Sequence, residues 1–107
     1  MLPRNRILRS IEVLDVVKRG KTFTFGILTL TYTKSIQPFP SKFAVVLSKK
    51  SFKKAVDRNS IKRKLFKLVS GQKKIPTGYK IVLRTKSDID DEESVKNSLD
   101  KFFKELH

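Results

Sequence analysis

The sequence contains no cysteine and a single histidine, His107, which is its last residue. The absence of cysteine excludes disulfides, cysteine nucleophiles and thiolate metal sites. A Ser–His–Asp triad or a histidine metal site would depend on a terminal residue, where ordered structure is not expected. We therefore expect no catalytic residue, no metal site and no cofactor bound by the protein alone.

Long hydrophobic runs are also absent. The basic N-terminus is not followed by the apolar stretch of a signal peptide, and no apolar run approaches the roughly 20 residues of a membrane span. Glycine and proline number four each, and a chain of 107 residues fits one domain. We expect a single domain over residues 1–107, located in the cytoplasm, with no membrane partner.

Acidic residues are scarce over most of the chain, and the formal net charge is +15. Residues 88–107 hold seven acids and three lysines, a net charge of −4, which leaves +19 on residues 1–87. Such a concentration of like charge opposes folding, and a polyanionic partner would relieve it by displacing counterions. A merely soluble basic surface is the alternative, but the charge density favours nucleic-acid binding.

The first half of the chain is predicted to form a helix followed by strands. Ser10 is the predicted cap of a helix over residues 11–19, and Gly20 ends it. Alternation of apolar residues with threonine predicts strand structure over residues 22–34. The alternation changes phase at Gly26-Ile27, which indicates a bulge or a hairpin corner.

The second half is predicted to contain a strand, a helix, a strand and a helix. The segments are an apolar strand over residues 43–47, a helix over 53–70 ended by Gly71, a strand over 79–83, and a final helix with an apolar stripe from Val95 to Leu106. The apolar run at 43–47 is typical of a central strand covered on both faces. A strand–helix–strand unit suggests a parallel pair with a crossover helix, so we predict an α/β fold with helices packed on a mixed sheet.

The acidic cluster from Asp90 to Glu93 has two interpretations. It could hold a hard cation, but consecutive helix residues point in different directions and do not converge on one ion. Acidic residues at the start of a helix also interact favourably with the helix dipole. We therefore expect Asp88 or Asp90 to cap the last helix, and we expect no metal at this cluster.

The second predicted helix has one basic face. Asn59, Arg63 and Lys67 lie opposite the apolar stripe that contains Ile61 and Leu65. Arginine offers a planar fork for a phosphate or a base edge, and asparagine can both donate and accept hydrogen bonds. A solvated face would mix charge signs, yet only one acid lies between residues 49 and 70, so we predict a surface that binds RNA. Its candidate residues are Lys49, Lys50, Lys54, Arg58, Asn59, Lys62, Arg63 and Lys67.

Two segments of this region resemble the signature of the bacterial ribonuclease P protein subunit. They are Ser48-Lys49-Lys50 and Lys54-Ala55-Val56-Asp57-Arg58-Asn59-Ser60-Ile61-Lys62-Arg63-Lys64-Leu65. The family signature runs Ser-Lys-Lys, a short spacer, Ala-Val, one residue, then Arg-Asn-Arg-x-Lys-Arg. The basic N-terminus, the short first helix, the threonine-rich strand and the final amphipathic helix also follow the family's order and length.

The resemblance implies an α/β sandwich with a mixed sheet and a left-handed strand–helix–strand crossover, whereas crossovers are generally right-handed. It implies an RNA subunit that holds the catalytic Mg²⁺ ions. Together the two subunits would hydrolyse one phosphodiester bond to remove the 5′ leader of precursor tRNA. The basic helix would contact the RNA, and a cleft between the first helix and the sheet would bind the leader. The expected partners are therefore the ribonuclease P catalytic RNA and precursor tRNA.

The expected leader cleft departs from the family pattern. Val13 and Val17 stand where the first helix normally offers two phenylalanines to the leader, so we expect charge to hold the leader more than stacking does. Phe23, Phe25 or Tyr32 could supply an aromatic surface to this cleft, or could belong to the core.

The basic motif departs as well. Ser60 stands in place of its second arginine, and the spacer at residues 51–53 lacks a glycine and is one residue longer. The rival function is that of a structural RNA-binding protein, such as a ribosomal component, with no link to catalysis. Because one fold hosts many functions, the RNA that copurifies with the protein would separate the two.

Overall fold

The computed structural model describes residues 7–35, 40–47, 52–72, 75–85 and 91–106. Its elements follow the predicted order of helix, strands, helix, strand and helix. In chain order they are α1 (Ser10–Arg19), β1 (Lys21–Phe25), β2 (Leu28–Lys34), β3 (Lys42–Val46), α2 (Ala55–Ser70), β4 (Tyr79–Thr85) and α3 (Glu92–Glu105). Within these described ranges, no helix has the length and apolar character that a membrane crossing requires.

The four strands form one mixed sheet in the order β1-β2-β4-β3. Strand β2 pairs antiparallel with both β1 and β4, whereas β3 and β4 are parallel and are connected through α2. The predicted parallel pair and the α/β architecture are thereby confirmed, and the left hand of the crossover stays a prediction. The apolar strand predicted at residues 43–47 is β3. The expectation that it is central is wrong, because β3 lies at an edge of the sheet and β4 lies between it and β2.

The apolar run of β3 has a different cause from the one predicted. Phe43 and Val45 point into the main core, and Ala44 points to the opposite face. The edge itself is partly covered, because Ile7 forms a parallel bridge with Phe43 and the N–H of Leu8 donates to the carbonyl oxygen of Phe43 at 2.8 Å. An edge strand that is covered on both faces therefore gives the sequence pattern of a central one.

A two-residue turn joins β1 to β2 and explains the change of phase in the sequence. Phe25 pairs with Leu28, so only Gly26 and Ile27 lie between the strands. Gly26 has a φ of 60°, a conformation that glycine adopts without strain. A glycine with positive φ at the first position of such a turn matches the right-handed twist of a hairpin. Of the two predicted alternatives at Gly26-Ile27, the hairpin is therefore confirmed and the bulge is not.

The sheet has two differently covered faces, because successive strand residues point to opposite sides. The face called here the core face carries Leu30 and Leu83 and packs against α2 and α3. The face called here the open face carries Val82 and packs against α1 through the fully buried Val16. Helix α1 covers only part of the open face, since Thr22 on that side is exposed.

Both predicted helix caps are displaced by a residue or more. Arg9 is the N-cap of α1, where its backbone N–H donates to Oε1 of Glu12 at 3.2 Å, so Ser10 is not the cap. Asp91 is the N-cap of α3, and its Oδ1 accepts from the N–H of Ser94 at 3.2 Å. Asp88 and Asp90 lie outside the described residues. The predicted apolar stripe of α3 is confirmed, because Val95, Leu99, Phe102 and Phe103 are buried.

Candidate nucleic-acid interface

Helix α2 separates a core side from a charged side. Ile61 and Leu65 are buried in the core. Asn59, Arg63 and Lys67 are exposed on the opposite side, as the helical spacing predicts. Residues four apart on a helix are surface neighbours, so these three side chains form one continuous row. This row offers two cations and one amide to a ligand.

Arg58 has a different environment from Arg63. Its Nη1 donates to the carbonyl oxygens of Phe52, at 2.7 Å, and of Lys53, at 3.2 Å. Phe52 is itself buried in the core. Arg58 therefore fixes the segment that leads into α2, and only its remaining guanidinium nitrogens face a ligand. Sequence reasoning missed this role, because hydrogen bonds to backbone carbonyls leave no periodic signal.

The other predicted RNA-binding residues are spread around α2. Lys54 is exposed at the N-cap. Lys62 is half-buried and lines a groove of about 520 Å³ that α1 and β3 also border. Lys49 and Lys50 lie outside the described residues, so their position on this surface stays a prediction. Through Lys62, the basic helix reaches the groove beside α1.

The two valines assigned to the leader differ in burial. Val13 lines the groove and packs against the small buried cluster that contains Val16 and Val82. Val17, one turn later, is 42% exposed. Val13 is therefore largely a packing residue, and Val17 is the one of the two valines that a ligand can contact.

Phe23, Phe25 and Tyr32 do not lie with the valines of α1. The register pairs Phe23 with Leu30 of the core face, so the three rings point towards α3. The centroid of the Phe102 ring lies 6.2 Å from Phe23, 6.4 Å from Phe25 and 5.7 Å from Tyr32. Of the two alternatives for these aromatics, a cleft beside α1 or the core, the structure supports the core and contradicts the cleft. The alternation of apolar and polar residues along the strands shows that these three aromatics share one face of the sheet. It does not show which face α1 covers.

The open face instead presents hydroxyls and one arginine. Nη2 of Arg84 donates to Oγ1 of Thr31 at 3.3 Å, and Oγ1 of Thr22 lies 3.1 Å from the same oxygen. The Nε of Arg84 is buried and makes no hydrogen bond to the part of the chain that the structure describes. A buried nitrogen without an acceptor is costly, and the guanidinium as a whole keeps a positive charge that suits an anionic ligand on this face. Sequence reasoning missed Arg84 because it lies just beyond the predicted strand.

An ion pair fixes α1 on the open face. Oε2 of Glu12 lies 3.2 Å from Nζ of Lys80 and 3.8 Å from Nζ of Lys42. Burial on its own raises the pKa of Glu12. The hydrogen bonds from the Arg9 backbone and from Lys80, with the charges of Lys42 and Lys80, outweigh burial and hold that pKa below its usual value. Glu12 therefore stays ionised at neutral pH and joins the helix to two strands.

The comparisons with known proteins agree with this geometry. The family model described as Ribonuclease P matches residues 1–107, the whole chain. The chain belongs to the ribonuclease P protein family. A relative named ribonuclease P protein component, from Clostridium kluyveri, is 35% identical over 105 residues, covering 90% of this chain and 92% of that protein. One of the same name from Clavibacter michiganensis is 30% identical over 82 residues, covering 76% of this chain and 72% of that protein.

Solved structures of the ribonuclease P family share this fold. The protein from Thermotoga maritima matches with a TM-score of 0.79 at 23% identity, over 94% of this chain and 97% of that one. The protein from Staphylococcus aureus matches with a TM-score of 0.77 at 19% identity, over 97% and 96%. At such identities the match concerns the fold alone.

The ribonuclease P motif noted in the sequence coincides with the start of α2. Ser60, in place of its second arginine, is exposed next to Asn59. A short hydroxyl there extends the polar surface but supplies no charge or planar fork. Ser60 therefore adds polarity but no charge beside the exposed row of Asn59, Arg63 and Lys67.

Proposed function

We propose that this chain is the protein subunit of a ribonuclease P. It would bind the catalytic RNA and the 5′ leader of precursor tRNA, and so promote magnesium-dependent removal of the leader. The observation that carries the proposal is the exposed row of Asn59, Arg63 and Lys67, which lies on the helix of the family motif. Its charge is directed to solvent while the other side of α2 is buried in the core.

The catalytic RNA would bind along α2. Arg63 is exposed and can present two parallel N–H donors to one phosphate, and Lys67 adds a mobile charge one turn later. Asn59 can hydrogen-bond a base edge or a 2′-hydroxyl, which distinguishes RNA from DNA. Arg58 would act mainly by holding the segment before α2, so that the basic residues on either side of it keep their relative positions.

The leader would lie on the open face, between α1 and the uncovered part of the sheet. Arg84 supplies positive charge there and the exposed Thr22 offers a hydroxyl, while the buried Thr31 hydroxyl links the two side chains. Val17 is exposed on α1 and brings no aromatic ring to a ligand. Such a site would hold a strand through phosphate and hydroxyl contacts, with little dependence on the stacking of bases.

The hydrolytic centre would belong to the RNA subunit. The only histidine of the chain is its last residue, and cysteine is absent, so the sequence offers neither a cysteine nucleophile nor an internal histidine as general base. Mg²⁺ held by the RNA would activate water and stabilise the leaving oxygen. The protein would contribute binding and charge neutralisation, which lowers the magnesium concentration that the RNA needs.

Reconstitution with the cognate catalytic RNA tests this proposal. We expect the isolated protein not to cleave precursor tRNA in magnesium, and the assembled complex to do so at less magnesium than the RNA alone. Sequencing of the RNA that copurifies with the protein should return a ribonuclease P RNA. Recovery of ribosomal RNA instead, with no effect on cleavage, would favour a structural RNA-binding protein.

A further inference from the structure

A second basic site lies on the core face, at the end of the sheet where β1 begins and β2 ends. Here a pocket of about 490 Å³ opens beyond α3, which is a volume suited to a small ligand group. It is called here the tyrosine pocket. Its lining residues are Arg19, Lys21, Tyr32, Thr33, Lys34 and Tyr79.

The charges of this pocket are of one sign. Three of its lining residues are cations and none is an acid. Arg19 has a carboxylate partner, Asp15, at 2.9 Å. Lys21 and Lys34 are exposed, and neither has an ion pair within the part of the chain that the structure describes. Two ammonium groups therefore face this opening without a counter-ion from the protein.

The aromatic wall of the pocket is held rigidly. The Tyr32 ring stacks on Phe23, with centroids 5.8 Å apart and planes 6° apart, and it lies 5.7 Å from the Tyr79 ring. The hydroxyl of Tyr79 donates to the carbonyl oxygen of Leu106 at 3.0 Å, which ties the wall to the end of α3. The Nζ of Lys34 lies 5.8 Å from the centroid of Tyr79, so its stem is directed along this wall.

The half-buried Tyr32 keeps its hydroxyl available. That hydroxyl makes no hydrogen bond to any residue in the described ranges, whereas the hydroxyl of Tyr79 is occupied. A fixed phenol donor between two ammonium groups is suited to a singly charged oxygen ligand that accepts several hydrogen bonds. A phosphodiester meets this requirement, and lysine binds it as a point charge.

We propose that the tyrosine pocket binds a backbone phosphate of RNA, as a contact separate from α2 and from the open face. This inference rests on the proposed function for the presence of an RNA partner. Helix α2 lies over β3, and the pocket is built by β1, β2 and β4, so the two basic sites lie towards opposite edges of the sheet. With strands about 4.8 Å apart, these edges are separated by roughly 14 Å. One RNA would therefore contact the protein through two separate segments.

The test is the double variant Lys21→Gln/Lys34→Gln, with Lys96→Gln/Lys101→Gln as its control. Both remove two positive charges from exposed lysines, but the control lysines lie on α3 away from the pocket lining. Affinity for the cognate catalytic RNA is measured as a function of salt. We expect the pocket variant alone to flatten the dependence of log affinity on log salt by roughly 0.7–0.9, the value for one lost phosphate contact. Tyr32→Phe, which keeps the ring packing, should weaken binding roughly tenfold.

The outcomes separate the inference from the proposed function. Equal losses for the two double variants mean that only net charge matters, and they overturn the inference. Inorganic phosphate could shift the NMR signals of the Tyr32 ring while the pocket variant keeps its affinity for RNA. That result would indicate a site for small anions, and it would also overturn the inference. Arg63→Ala is the reference: if it weakens RNA binding while the pocket variant matches its control, the inference alone fails. If Arg63→Ala has no effect either, the proposed function fails. The melting temperature of each variant checks that the protein remains folded. The variant Lys21→Arg/Lys34→Arg preserves both charges and serves as a further control.

Discussion

Replacement of Val17 by phenylalanine tests the open face as the surface that meets the leader. Val17 is 42% exposed, so a larger ring can be placed there without displacing a buried neighbour. Stacking of one base on an aromatic ring contributes roughly 1–3 kcal/mol. At 1.4 kcal/mol per tenfold change, we expect the affinity for precursor tRNA to rise by about 5- to 150-fold. Affinity for tRNA without a leader should not change.

Two matched variants on the same helix make this prediction specific. Val13→Phe places the same ring against the cluster of Val16, Ala44 and Val82, so it should overpack that contact and cost about 1–3 kcal/mol of stability. Ile11 is 76% exposed on α1, so Ile11→Phe should leave stability unchanged and serves as the control for added aromatic surface.

The assay measures, for each variant in complex with the catalytic RNA, the dissociation constants of precursor tRNA with and without a leader. The melting temperature of the protein is recorded in parallel. A stable Val17→Phe variant with no gain that depends on the leader would refute the assignment of the leader to this face. An equal gain for Ile11→Phe would refute it too, because the effect would then follow from hydrophobicity alone.

Three further predictions concern α2, α3 and the ion pair of α1. Arg63→Ala should weaken binding of the catalytic RNA by about 1–3 kcal/mol without changing the melting temperature. Arg58→Ala should lower both the affinity for the catalytic RNA and the melting temperature, because it also removes the hydrogen bonds to Phe52 and Lys53. An unchanged melting temperature would contradict this role. Asp91→Ala should cost about 1 kcal/mol in thermal unfolding, and Asp91→Asn, which keeps the acceptor, should restore most of it. Glu12 has a lowered pKa, so its contribution to stability is present above the ordinary value of 4.5 and is lost as pH falls through its folded pKa. Urea unfolding from pH 7 to pH 3 should therefore show a deficit for Glu12→Gln at neutral pH that shrinks below pH 4.5.

Local periodicity predicted the elements well, because burial acts on each helix and strand separately. The spacing of Ile61 and Leu65 identified the buried side of α2, and hence the exposed row that contains Arg63. The phase change at Gly26 identified the hairpin. These features depend on neighbours in the sequence, so a single sequence contains the information that determines them.

The arrangement of elements was less accessible, because it depends on contacts between distant segments. Nothing local indicates that β4 enters between β2 and β3, and the apolar run that suggested a central β3 results instead from cover on both faces. The face that Tyr32 shares with α3 depends on the same pairing. The structural role of Arg58, and Arg84 altogether, escaped prediction because their partners, two backbone carbonyls and one threonine hydroxyl, lie outside their own helix and strand.

The two faces of the sheet explain why this chain can depart from the family pattern at α1. The core face is closed by α2 and α3, where aromatic residues such as Phe102 fill the space between helix and strands. Among the residues that the structure describes, the open face is closed by the small cluster around Val16, and Val17 is 42% exposed, so the fold does not depend on the side chain at position 17. An aromatic residue there would serve binding alone. With valine at this position, we expect stability to be unchanged and recognition of the ligand to depend on Arg84, so that binding becomes more dependent on salt.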